Sequence, residues 1–271
     1  DRLAAEGLRT TGFHPASSAT MSRWALVTGL NPTDADRAVL HPEHLSLGEV
    51  MWQAGYATGF IGLWGIPESA QLQGPNGHGF DEWLGYFRSE ETATDYPELL
   101  WLNSKQIKLS ANANGSDGQS AREFLMQETL SFMERHHRRR PFFLAIVLPL
   151  PGSATTRDGL SRDERVATFD RDLGALLDSL SQLGIDGQTA VCLTSAAPHG
   201  ERETAGEVPL LVRWPNRIQA GRTIQQAGGF HDLLPTFAEL VGAFQRPRHT
   251  DGHSLLSSWT ARERTNTTFG D

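Results

Sequence analysis

The order of apolar and polar positions along this 271-residue chain predicts helices alternating with short apolar strands. Residues 3–8 read as the end of a helix closed by Gly7, and a Ser/Thr-rich stretch suited to capping precedes a second helix over 22–28. A third covers 45–54 and stops at Gly55. Residues 56–64 alternate aromatic and aliphatic side chains as a strand does. The clearest helix is 119–137, where Phe124, Leu125, Leu130, Phe132 and Met133 recur at helical spacing until Pro141 breaks it. The run from Phe142 to Leu148 is continuously apolar, the pattern of a strand covered on both faces. An amphipathic helix over 160–183 gathers Val166, Phe169, Leu173, Leu176, Leu177 and Leu180 on one side. Strands over 189–194 and 209–214 and a helix over 230–241 complete the series.

This alternation predicts an α/β fold: a three-layer sandwich with a mostly parallel central sheet and helices on both faces. A single domain over 1–271 is expected, with 65–118 as a loop-rich excursion, since Gly, Pro, Asn and Ser are frequent there, and 216–271 as a C-terminal helix and tail. No internal repeat is evident.

A net charge of -8 argues against nucleic acid as a partner, because phosphate contacts need clustered cations. The one cationic run, Arg135-His136-His137-Arg138-Arg139-Arg140, closes a predicted helix. Complementing the helix dipole is its plain role there; docking an acidic partner is the sharper one. The single cysteine, Cys192, excludes an intrachain disulfide and reads as an inert core residue. The longest apolar run, 141–151, is too short to span a bilayer. Asn114-Gly115-Ser116 and Asn266-Thr267-Thr268 fit the glycosylation sequon.

Ala16-Ser17-Ser18-Ala19-Thr20-Met21-Ser22-Arg23-Trp24-Ala25-Leu26-Val27-Thr28-Gly29 is the most informative segment. It resembles the active-site signature of the sulfatase family, within the alkaline phosphatase superfamily: Cys or Ser-x-Pro-Ser-Arg, two small or apolar residues, two aliphatics, Thr-Gly. Other segments resemble the family in the same order along the chain. They include Ala54-Gly55-Tyr56, Gly79-Phe80-Asp81, Pro141-Phe142-Phe143-Leu144, Val208-Pro209-Leu210-Leu211, Asp232-Leu233-Leu234-Pro235-Thr236 and Asp251-Gly252-His253.

The resemblance implies a chemistry that these residues do not carry. Family members attack sulfur with a formylglycine hydrate made from the Cys or Ser, polarised by a calcium ion held on carboxylate and amide oxygens. Here the nucleophile position is Ala19, a methyl group. The Lys-Trp-His motif reads Leu63-Trp64-Gly65, the Pro-His motif Pro149-Leu150, and the Asp-Asn metal pair Ala196-Ala197. Glu207 stands where an arginine is usual. The family's first metal-binding aspartate pair is expected upstream of Asp1, and its C-terminal subdomain beyond the last residues, so the fold reads as truncated at both ends. Neither calcium nor formylglycine is expected to act through these positions. Removing one transition-state donor costs about 10²–10³ in rate, and here several are replaced together.

Thr20 is the candidate substitute nucleophile, since some relatives in the superfamily use Thr on phosphodiesters, but it stands three rather than four residues before Arg23; its plain role is helix capping or exposure to solvent. Arg23 is retained, and its guanidinium is expected to pair with a carboxylate such as Glu207 or with backbone carbonyls, an anion site at the helix start being the functional alternative. His199 lies in a Pro/Gly loop, and His14, His41, His44 and His78 lack paired metal-ligand spacing. Asp170 and Asp172 are expected to be solvated charges on the long helix. The leading expectation is a sulfatase-like pseudoenzyme serving as a structural or interaction subunit with a protein partner. The alternatives are a metal-dependent sulfuric or phosphoric ester hydrolase with ligands outside this segment, and a glycan- or anion-binding module. A periplasmic or extracellular location is implied by the resemblance alone.

Overall fold

Four serines set the starts of the principal helices. The Oγ atoms of Ser18, Ser46, Ser120 and Ser161 accept hydrogen bonds from the backbone N–H three residues on, the standard way to satisfy a helix's first donors. They open α2 (Ala19–Thr28), α3 (Leu47–Gln53), α4 (Ala121–His136) and α5 (Arg162–Gln182), after a single-turn α1 (Arg2–Ala5) and before α6 (Leu233–Leu240) and α7 (Leu256–Thr260). The helix expected over 22–28 begins three residues earlier because Ser18, not a later hydroxyl, is its cap. The computed structural model describes residues 1–31, 39–69, 73–148, 161–196, 206–243 and 250–261.

The strands form two sheets. In one, β2 (Ala57–Leu63) lies between β3 (Glu82–Tyr86) and β6 (Phe142–Val147), parallel to both, and the hairpin of β4 (Leu99–Leu102) and β5 (Lys105–Lys108) extends the β3 edge. In the other, β1 (Leu8–His14) runs parallel to β9 (Arg222–Gly229) and antiparallel to β8 (Leu210–Arg213), which also pairs with β7 (Val191–Leu193). The α/β architecture is as expected, and the parallel arrangement holds around β2 and between β1 and β9. The other four of the seven pairings among the described residues are antiparallel, so both sheets are mixed.

Helices do cover both faces. Every residue of β2 is buried. Its Phe60 joins Trp24 of α2 on one side, while Ile61 and Leu63 meet Leu125 of α4 on the other. The burial follows from period-2 alternation of side chains along a strand.

Three expectations need correction. The stretch 65–118 contains β3, β4 and β5, and 216–271 contains β9. β4 and β5 have four residues each and are joined through a turn at Asn103 (φ 53°), too short to show periodicity. β1 was hidden because a bulge between Thr11 and Phe13 breaks its alternation. β6 packs on both faces as expected, Phe143 and Ala145 against one core cluster and Phe142 and Leu144 against others, but all six of its residues keep partial exposure, as do all three of β7. Among the described residues β6 pairs only with β2 and β7 only with β8, leaving each with an open edge. Val166 on α5 is also exposed.

Candidate functional site

The loop before α2 closes on itself: Ser22, wholly buried, accepts from the Ala16 N–H at 2.9 Å. This fixes Ala19 at the first position of α2, with its methyl where the resemblance implies a nucleophile. Thr20 follows in the first turn. It is neither the cap nor a free hydroxyl, as had been expected, because its Oγ1 accepts from Arg23 Nη2 at 3.1 Å.

Arg23 is the central group. It is 5% exposed and donates from Nε to Trp64 O (2.8 Å) and from Nη2 to Gly65 O (3.3 Å). Burial lowers its pKa to about 10, so it stays charged at neutral pH. Of the two expected kinds of partner, the structure selects backbone carbonyls. Glu207 is elsewhere: its Oε2 accepts from Gly12 N at 3.0 Å, satisfying a backbone donor freed by the β1 bulge. The reversed charge at that position therefore serves the strand, not the arginine.

Gly65 completes the arrangement. Its φ of +56° is a conformation that L side chains rarely adopt, and a Cβ there would fall 2.6 Å from Arg23 Nη2. The absence of a side chain at 65 is what lets the guanidinium reach the two carbonyls. Leu63 is buried in the α4-facing core, and Ala196 packs half-buried against the main core. Leu150, Ala197 and His199 lie outside the described residues.

Behind this layer is a buried polar group that the sequence patterns did not single out. Trp64 Nε1 donates to Glu68 Oε1 (2.9 Å), and Glu68 also accepts from Gln73 N and Gly74 N (2.7 and 3.0 Å). His78 stacks on Trp64 with ring centroids 5.8 Å apart, its Nε2 3.8 Å from Glu68 Oε1. Burial lowers its pKa, with Glu68 and Glu49 opposing in part. Burial likewise lowers His44, whose Nδ1 accepts from His41 N. The signal in sequence was only a tryptophan kept between two lost polar positions.

A concavity of about 620 Å³ opens beside the end of β1, lined by His14, Gln226, His231, Asp232 and His253 among others. Both Asp232 oxygens are taken by backbone donors, Gly229 N (2.8 Å) and His253 N (2.7 Å), so its role is to tie the end of β9 to the segment before α7. Of the other candidates, Asp170 is exposed as expected, but Asp172 is ion-paired with Arg122. Three of the six residues of the cationic run are spent on carboxylates: Arg135 and His136 bond Glu82, and Arg140 bonds Asp81. Cys192 sits half-buried on β7, and burial pushes its thiol up to about 12, which keeps it unreactive.

A calcium ion needs several oxygen ligands. The described family positions Ala19 and Ala196 offer methyl groups in place of oxygen donors. Among the described residues no group of three or more His, Cys, Asp or Glu could hold a metal. The residues present do not fit the ion. No helix among them is long and apolar enough to cross a membrane.

Comparison with known proteins agrees with the fold. The sulfatase family model matches residues 1–151. N-acetylgalactosamine-6-sulfatase of Canis lupus familiaris is 28% identical, over 94% of this chain and 60% of the relative. Arylsulfatase A of Bos taurus is 30% identical, over 94% and 61%. The chain thus spans about 60% of the length of these curated relatives. Among solved structures, PsFucS1 sulfatase from Pseudoalteromonas sp. superposes with a TM-score of 0.75 at 21% identity, covering 96% of this chain and 66% of that one.

Proposed function

The chain belongs to the sulfatase family, and from that premise we propose that it is a pseudoenzyme of the family, acting as a structural or interaction subunit. One observation carries this reading: Arg23 is turned onto Trp64 O and Gly65 O in a space that a side chain at 65 would need. Nε and Nη2 of Arg23 have already traded water for protein acceptors, and would have to break those bonds to meet a sulfate. Ala19 adds a nucleophile position with no heteroatom. Among the described residues β6 and β7 each keep an unpaired edge, where the rest of the protein or a partner chain would pair. Such edges invite pairing with another segment. Native mass measurement of the purified chain tests the role. A specific complex or oligomer supports it, and a strictly monomeric, well-folded species counts against it.

A second reading is a divalent-metal-dependent hydrolase of sulfuric or phosphoric esters, with ligands outside this segment. It is favoured by the 3.1 Å contact that places the Thr20 hydroxyl against a buried cation, since a positive neighbour favours an ionised nucleophile. The names of the relatives point the same way, to sulfate esters of the kind that N-acetylgalactosamine-6-sulfatase and arylsulfatase act on. Thr20→Ala removes the hydroxyl and keeps the two carbonyl contacts of Arg23. Under the second reading it abolishes turnover, and under the first it changes nothing in an ester assay.

A further inference from the structure

The chain has two Asn–Gly steps, Asn76–Gly77 and Asn114–Gly115. In such a step the missing Cβ of the glycine leaves its nitrogen open to approach the preceding side-chain carbonyl carbon. The fold treats the two steps oppositely. Asn76 is half-buried, and its Nδ2 donates to Phe80 O (3.0 Å), Asn103 Oδ1 (3.2 Å) and Asp81 O (3.4 Å). The Gly77 nitrogen is itself committed to Gly74 O at 3.1 Å within a 3-10 turn. Both the leaving group and the attacking atom are therefore held.

Asn114 stands at an exposed tip in the left-handed region (φ 58°, ψ 32°), and residues 113–118 around it are all exposed. Its side chain makes no hydrogen bond with the described residues. The Gly115 N–H is directed at a carboxylate, Glu98 Oε1, at 3.4 Å. Beneath the tip, fully buried Asn112 clamps the base of the turn. Its Nδ2 donates to Pro97 O and Gln119 O (2.8 and 2.9 Å), and its Oδ1 accepts from Gly118 N and Gln119 N (3.2 and 2.7 Å). The tip is free to rearrange while its base stays fixed, as exposed loop tips commonly are.

We propose that Asn114 is a self-modification site that converts to aspartate and isoaspartate through a succinimide. The Gly115 nitrogen, its proton passing toward Glu98, bonds to Cγ of Asn114. The Cγ–Nδ2 bond then breaks and the nitrogen leaves, protonated, as ammonia. Water opens the ring at either carbonyl, giving aspartate or a backbone lengthened through the side-chain carbon. The amide nitrogen is exchanged for an oxygen of water, with no oxidant or reductant. Glu98 acts as a general base in the ring-closing step. The product adds one negative charge at the tip of a chain whose formal net charge is -8.

Peptide mass spectrometry of the folded chain, incubated at mildly alkaline pH, tests this. The Asn114 peptide is expected to pass from amide to acid, partly as isoaspartate, many-fold faster than the Asn76 peptide. In denaturant the difference should shrink, because the two steps share the same local chemistry. Glu98→Gln, an exposed substitution, should slow conversion at Asn114 several-fold. Equal rates at the two sites in the folded chain, or an Asn114 that stays amide, would overturn the proposal. An unaltered rate in Glu98→Gln would overturn the part given to Glu98.

Discussion

Arg23 and Gly65 share one volume: Nη2 of the arginine lies 2.6 Å from the point a Cβ on residue 65 would occupy. The family resemblance puts a histidine at 65 and an arginine at 23. A Cβ at 65 and the guanidinium in its present position overlap, so a side chain at 65 would require Arg23 to shift.

Gly65→Ala is therefore expected to destabilise the fold by about 1–3 kcal/mol, from the positive φ and the overlap together. Denaturant unfolding measures it. Arg23→Ala in the same chain should remove the overlap and leave only the backbone strain, giving a coupling energy of at least about 0.5 kcal/mol in a double-mutant cycle. Strict additivity would mean that the two residues do not compete for space.

Acid should destabilise the chain in a window set by buried His78 and half-buried His44. Burial holds the imidazoles of His78 and His44 below their ordinary 6.5. The unfolded chain therefore binds protons that the folded one refuses. Stability is complete above 6.5 and is lost as the pH falls through that value toward the lowered folded one. His78→Phe, which keeps a ring against Trp64, should flatten this slope in unfolding curves collected across the window. An unchanged slope would show that His78 is not its source.

Arg213, 3% exposed, ties α1 to the turn before β7 through Glu6 (2.7 Å) and Asp186 (2.7 and 3.0 Å). Its hydrogen bonds lower Asp186; at Glu6 burial pushes up, but bonds from Arg213 and Arg2 outweigh it. Arg213→Lys keeps the charge and loses the paired geometry, and is expected to cost about 2 kcal/mol. Both carboxylates should then titrate nearer their ordinary values, which NMR titration reads directly. The carboxylate part of the stability, present above those values and lost below them, should shrink accordingly.

The long elements were legible because their patterns are local. α4 carries its apolar residues at helical spacing and β6 is an unbroken apolar run, and both stand where expected. β1 was not legible, since its bulge shifts the alternation after Thr11. β9 was not, since Thr223, Gln225 and Ala227 face solvent and two glycines end it, so pairing with β1 defines it. At the site, the empty chemistry of Ala19 and Gly65 could be read from residue type. Where Arg23 turns depends on two carbonyls forty-one and forty-two positions away, and no spacing rule reports that. Glu68 and His78 were missed for the same reason: only the fold brings them to Trp64.

Initial-rate assays of the purified chain on an aryl sulfate and an aryl phosphate, each with added Ca²⁺, Mg²⁺, Zn²⁺ or Mn²⁺, test the central claim most directly. With a methyl at position 19 and Arg23 bound to carbonyls, the account predicts rates equal to the protein-free blank under every condition. Metal-dependent turnover that disappears in Thr20→Ala would contradict it.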